Sequence, residues 1–185
     1  TFGLIWHKNG GSANHTTDFA STQAFSSNNL KFGGSDGSNP TSDVFKIGTH
    51  NEINANGESL VFYALRSIPG VCKVGSFLPN NTTDGPYVNL GFTPSFLLIK
   101  CVGTTNPFII FDNKRDSLGN PRVKYLIPST NASEASSGRD IDLLSDGFKC
   151  REDDSDINGG TSETYMYMAM AEIGGNGTLP PIYGR

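Results

Sequence analysis

The chain has 185 residues, a net charge of −4 and an apolar content of only 36 %, with 22 glycines and 10 prolines. The scattered acidic residues exclude the basic stripe that a nucleic-acid surface needs to displace counterions, and no apolar run reaches the ~18 residues that would suggest a membrane-spanning helix. The length suits one large β domain or two small ones, and the abundance of turn-forming residues predicts many short strands joined by tight loops.

Residues 2–8 read as a first strand carrying the only tryptophan, Trp6. Asn9-Gly10-Gly11-Ser12 is a turn signal, after which Thr17-Asp18-Phe19-Ala20 is expected to pair back. Residues 28–40 form a loop around Leu30-Lys31-Phe32, residues 42–47 a short alternating strand, and residues 50–57 an asparagine-rich loop. Residues 59–66, Ser-Leu-Val-Phe-Tyr-Ala-Leu-Arg, are almost all apolar and predict a central strand buried on both faces.

The pattern then restarts. Residues 71–78 read as a strand, 80–86 as a turn-rich loop and 87–90 as a short alternating piece. Residues 91–102 carry the strongest strand signal in the chain, with Pro94 near its start, where no ladder donor is required. A turn at Asn106-Pro107 leads into a strand at 108–112, and residues 113–121 form the most polar loop. Residues 123–127 read as a strand ended by Pro128. Asn131 and Glu134 have the spacing of a capping box, which predicts a helical turn.

Short strands are expected at 140–144 and 147–151, then an acidic, glycine-rich loop at 152–162 and a last strand at 163–172. In that strand Met166, Met168 and Met170 share one face, and Tyr165, Tyr167, Ala169 and Ala171 share the other; the methionine stripe reads as core. Cys72, Cys101 and Cys150 are too widely spaced for a zinc site and read as buried free thiols.

Two internal correspondences organise the chain. Ile5 and Ile99 are 94 residues apart, as are Asp18 and Asp112. Ser42-Asp43-Val44-Phe45-Lys46 matches Ser145-Asp146-Gly147-Phe148-Lys149 at an offset of 103. The expected architecture is an all-β antiparallel β-sandwich, jelly-roll or lectin-like, built from two related repeat units. A partial unit covers 1–70, a complete one 71–173, and an extended C-terminal tail 174–185. The first unit lacks the counterpart of residues 71–94, and the chain opens on Thr1, so a piece of a longer polypeptide is expected. The tail, rich in glycine and proline, is expected to pack on a neighbouring subunit or protein.

The motifs Thr83-Asp84-Gly85-Pro86, Gly91-Phe92-Thr93-Pro94, Asp112-Asn113-Lys114-Arg115-Asp116, Leu144-Ser145-Asp146-Gly147-Phe148-Lys149 and Tyr165-Met166-Tyr167-Met168-Ala169 together resemble a domain of unknown function. That domain occurs in repetitive tail-fibre-like virion structural proteins of marine bacteriophages. The resemblance implies a virion location, assembly with other virion proteins, a homo-oligomer (a trimer, as in phage fibres) and adhesion to the host surface. It supplies no catalytic residues, and none are assigned. A capsid decoration or cement protein and a glycan-binding or depolymerase module are the alternatives.

The sharpest local motif is Asp154-Ser155-Asp156-Ile157-Asn158-Gly159, the first half of a calcium loop in which alternate oxygens converge on one cation. The twelfth position, where such a loop places a bidentate glutamate, is Tyr165, so calcium at Asp154, Asp156 and Asn158 stands beside the alternative of a polar hairpin loop. For a host glycan the candidates are Asp84, Tyr87 and Arg115, in or beside the polar loops, with Trp6 and Tyr183 as further aromatic platforms. The three histidines, His7, His15 and His50, belong to no recognisable nucleophile motif.

Overall fold

Strand-forming residues alternate with turn residues through most of the chain, and the computed structural model is nearly all β. It describes residues 4–10, 15–28, 31–32, 38, 40–41, 43–116, 119–160 and 162–172. Strands β1 (Leu4–Trp6), β2 (His15–Asp18) and β3 (Ser26–Ser27) precede one short helix, α1 (Asn51–Asn54). Then follow β4 (Cys72–Phe77), β5 (Tyr87–Asn89), β6 (Pro94–Cys101), β7 (Ile109–Asp112), β8 (Ile141–Leu143), β9 (Gly147–Cys150) and β10 (Tyr165–Ala171).

These strands make three sheets, ordered β1-β2-β3, β4-β10-β6-β7 and β5-β9-β8. Every pairing of named strands is antiparallel. The strongest strand of the sequence, β6, begins at Pro94, whose missing N–H costs no ladder bond there. Gly91 adopts φ +81° just before it, a conformation natural to glycine, and the amides of Leu90 and Gly91 both donate to Asp146 O at 2.7 and 2.9 Å. β10 lies between β4 and β6, with Tyr167 opposite both Gly75 and Ile99. Gly75 leaves room for that tyrosine, since a Cβ there would lie 2.6 Å from its hydroxyl oxygen.

The four-stranded sheet buries both faces, and the period of two assigns the side chains. Leu97, Ile99, Tyr165, Tyr167, Ala169, Ile109 and Phe111 share one core with Val88, Ile141, Leu143 and Phe148 of the β5-β9-β8 sheet. Leu98, Met166 and Phe108 form a second core with Phe25, against which Ile5 and Phe19 pack from the N-terminal segment. Each of the large aliphatic or phenylalanine side chains among them contributes about 1.5–3 kcal/mol when withdrawn from water. Tyr and Met thus occupy opposite faces of β10 as the sequence predicts, although Met170 at the strand's end is 39 % exposed.

Lys100 breaks the apolar pattern of β6. It sits in the second face with no exposed surface. Its ammonium donates to Thr22 O at 3.3 Å, Thr104 O at 3.1 Å and Asn106 O at 2.5 Å. Burial lowers its pKa to about 8. Lys100 and the Phe25 N–H···O Val102 bond (2.9 Å) therefore tie residues 22–25 to the four-stranded sheet.

Several expectations require correction. Residues 59–66 are not a buried central strand: they are exposed throughout and belong to no sheet. β6 and β10 meet the same two-faced apolar demand by lying inside a sheet, whereas this segment gains no strand partner among the described residues, only the Phe45 ring on Phe62 and the Cys72 thiol at Arg66 O. Residues 43–47 contribute one bridge, Phe32 to Ile47, in place of a strand. The expected loop at 50–57 contains α1, capped by His50, whose Nδ1 accepts from Glu52 N at 3.3 Å.

Residues 131–135 form no helical turn. Ala135 bridges Tyr125 in extended pairing, and the Glu134 carboxylate, which a capping box would turn to its own backbone, instead meets Arg115 and Lys124 at 3.1 Å each. The strand expected at 123–127 is reduced to bridges from Tyr125 to Ala135 and Leu126 to Ile110.

The 94-residue correspondence falls on two hairpins, β1–β2 and β6–β7. Asp18 faces Leu4, while Asp112 faces Phe96, so the registers differ by two residues. A slip of two leaves every side chain on its own face. Cys101 and Cys150 are buried free thiols and Cys72 is half-buried; burial pushes the Cys150 thiol up to about 12. The tail at 174–185 lies outside the described residues.

Candidate functional site

The loop between β9 and β10 holds the candidate cation ligands. Asp154 turns back on its own backbone, its Oδ1 accepting from Asp156 N at 2.8 Å. The guanidinium of Arg139 lies between the two aspartates, with Nε 3.3 Å from Asp154 Oδ1 and Nη2 2.6 Å from Asp156 Oδ2. Burial raises the Asp156 carboxyl above its ordinary value even though Arg139 pulls it down. Arg139 also sits 5.0 Å from the centre of the Tyr125 ring and donates to its hydroxyl.

Asn158 is fully buried. Its Nδ2 donates to Thr82 O at 2.8 Å, Asn80 Oδ1 at 3.1 Å and Glu152 O at 3.1 Å, while its Oδ1 accepts from Asn80 N at 3.0 Å. This one amide zips the 80–86 loop to the 152–162 loop. Tyr165, at the position where a calcium loop carries glutamate, donates its hydroxyl to Ser155 O at 2.6 Å and Gly159 O at 2.7 Å. Burial pushes that phenol's pKa well up.

The calcium-like spacing therefore coexists with a cation supplied by the chain itself. Asp154 and Asp156 face Arg139, and Asn158 points into the interloop contact. Among the described residues no group of three or more His, Cys, Asp or Glu converges as metal ligands would.

The three glycan candidates fall into two places. Asp84, with its side chain 85 % exposed, pairs with Lys149 Nζ at 2.7 Å. Lys149 lies opposite Tyr87 across the β5–β9 ladder, and the Tyr87 hydroxyl, on a half-exposed ring, accepts from Asn89 Nδ2 at 3.1 Å. Asp84, Lys149 and Tyr87 thus form one surface group of acid, base and aromatic. Arg115 is engaged elsewhere, by Asp112 at 2.7 Å and Glu134 at 3.1 Å. Lys124 and Arg115 together hold the Glu134 carboxyl below its ordinary pKa. Trp6 is half-buried in β1, and Tyr183 lies outside the described residues.

Two features carried no sequence signal. A cleft of about 370 Å³ is lined by Thr16, Thr17, Asp18, Gln23, Lys31 and Glu52 among others, with Lys31 and Glu52 paired at 2.6 Å on its wall. Its polar lining combines residues 16–31 with Glu52 of α1. The second is apolar surface on residues 44–65, where Phe45 and Phe62 stack with ring centres 4.0 Å apart and an interplanar angle of 15°. An apolar run reads as core from sequence, so its exposure emerges only from the fold.

Comparison with curated proteins and with solved structures finds no match. The family described as Domain of unknown function (DUF7483) matches residues 3–173, across both expected repeat units, and the chain belongs to that family.

Proposed function

We propose that this chain is a structural protein of a virus particle, a module of a bacteriophage tail fibre or similar fibre that works by assembly and adhesion to the host surface. The observation that carries the reading is where its polar chemistry is spent. Arg139 with Asp154 and Asp156, Arg151 with Asp142, and Lys100 with three carbonyls all hold the fold together. What the described surface offers outward is a contact area, apolar over residues 60–65 and polar around Tyr87. The layering of three antiparallel sheets about two cores agrees with a sandwich-like scaffold, and the motif resemblance supplies the setting. The reading includes contacts with other virion proteins and with further copies of the chain.

Immunogold labelling of particles with antibodies against this chain tests the proposal. Gold along or at the tip of the tail supports it, gold on the head surface favours a decoration or cement protein, and particles without gold refute both. A glycan-binding role is favoured specifically by the Asp84–Lys149–Tyr87 group, which sets an exposed ring beside two charged hydrogen-bonding side chains. A glycan array probed with the wild type and with Tyr87→Ala reads this directly, and equal signals from the two proteins would remove Tyr87 from the reading.

A further inference from the structure

Residues 59–65 make no backbone hydrogen bond among the described residues, yet the segment has the composition of a sheet interior. Leu60 is 56 % exposed, Val61 79 %, Phe62 50 %, Tyr63 84 % and Leu65 56 %. Among the described residues Phe45, stacked on Phe62, is the one ring that covers any part of it, and its backbone edges take no strand partner. Unpaired edges of this kind are templates for strand addition. The segment has a close compositional relative in β10, which satisfies the same demand by lying between β4 and β6.

We infer that residues 58–66 form a contact between two copies of this chain, paired antiparallel about a two-fold axis at Phe62. The charges at the two ends of the segment select this occupant. Glu58 and Arg66 are both exposed and stand at equal distances from Phe62. An antiparallel pairing with Phe62 opposite Phe62 sets Glu58 of each copy against Arg66 of the other, twice over. It also sets Val61 opposite Tyr63 and Leu60 opposite Ala64, pairs of the aliphatic and aromatic kind that stabilise ladders. A contact in which one patch meets itself is the isologous type that closes as a dimer.

The exposed parts of these five residues and of Phe45 come to roughly 700 Å² per copy, of which a ladder along one edge covers a part, so the contact falls at the weak, reversible end of interface sizes. The stacked Phe45 and Phe62 rings add a rigid aromatic centre of the kind that dominates binding energy. Such a contact gives even-numbered assemblies, whereas the trimer expected from the fibre resemblance needs a head-to-tail contact made elsewhere on the chain.

Light scattering after size exclusion, over a range of concentrations, tests the inference on the full chain. The wild type is expected to run as a dimer that dissociates on dilution, and Phe62→Glu as a folded monomer with the wild-type circular dichroism spectrum, since the side chain it replaces is half-exposed. Glu58→Arg and Arg66→Glu should each weaken the dimer about tenfold or more. Mixing these two variants restores opposite charges at both ends and should restore the dimer as a heterodimer. In a Cys72→Ser background, Phe62→Cys should form a disulfide-linked dimer under mild oxidation. A wild type that stays monomeric at every concentration overturns the inference. So does an oligomer that survives Phe62→Glu, including a trimer, and so does a charge-swapped mixture that fails to associate.

Discussion

Replacing Asn158 by alanine removes a side chain with no exposed surface that bonds to groups on both sides of an interloop contact. It leaves the Asn80 N–H and the carbonyls of Thr82 and Glu152 without that partner inside the protein. Asn80 and Thr82 lie at the surface and Glu152 is half-buried, so water can take up part of what they lose, and the expected total is about 1–3 kcal/mol. For a chain of this size that is a fall of about 5 °C in melting temperature.

A second variant separates this role from that of a calcium ligand. Asn158→Asp keeps the shape and the acceptor oxygen but loses the two N–H donors and turns a carboxylate toward the carbonyls of Thr82 and Glu152. The structure therefore predicts a loss at least as large as for alanine, whereas a cation site would tolerate or prefer the added charge. The assay is urea denaturation of the wild type and both variants, each with excess calcium and with chelator. The expected result is destabilisation of both variants, independent of calcium. A wild type stabilised by calcium, together with an Asn158→Asp variant as stable as the wild type, would refute the reasoning.

Three further outcomes follow from the packing. His7 is buried, and that burial, with a smaller contribution from Lys8, lowers its pKa from 6.5 to about 4. Its charged form is disfavoured in the fold, so its contribution is complete above pH 6.5 and is lost as pH falls toward 4, amounting to about 3 kcal/mol. The difference in stability between wild type and His7→Leu should change by that amount across the window, and a flat difference counts against it. Arg139→Met leaves buried Asp156 beside Asp154 with no cation, and urea titration at neutral pH should show a loss of about 3 kcal/mol, shrinking in acid. Gly147→Ala would place a Cβ 2.1 Å from Val88 O, forcing β5 from β9 at a cost of about 1–3 kcal/mol; hydrogen exchange should accelerate first at the amides of that ladder.

Much of the second half was legible in the sequence because its signals are local. The alternation in residues 163–172 assigned Tyr165 and Tyr167 to one face of β10 and the methionines to the other, and the position of Pro94 marked where β6 begins. The Asn131–Glu134 spacing misled because a capping box competes with tertiary ion pairs, and here Arg115 and Lys124 claim the glutamate. The Asp154–Asn158 spacing was read as half a calcium loop because sequence shows which oxygens are present but not which donors arrive from elsewhere. Arg139 reaches that loop from just before β8, and Asn80 meets it from across the fold.

Lys100 and residues 59–66 mark the same boundary from opposite sides. A lysine inside an apolar strand reads as an edge or surface position, yet it is buried because three carbonyls from Thr22, Thr104 and Asn106 converge on it. A nearly all-apolar octet reads as core, yet it is exposed because no described strand comes to lie beside it. Sequence by itself determined the β class and the faces of the strongest strands, since side-chain period and backbone preference are properties of neighbouring residues. Only the tertiary structure decided what covers each face and which charges meet, since those depend on segments brought together from distant parts of the chain.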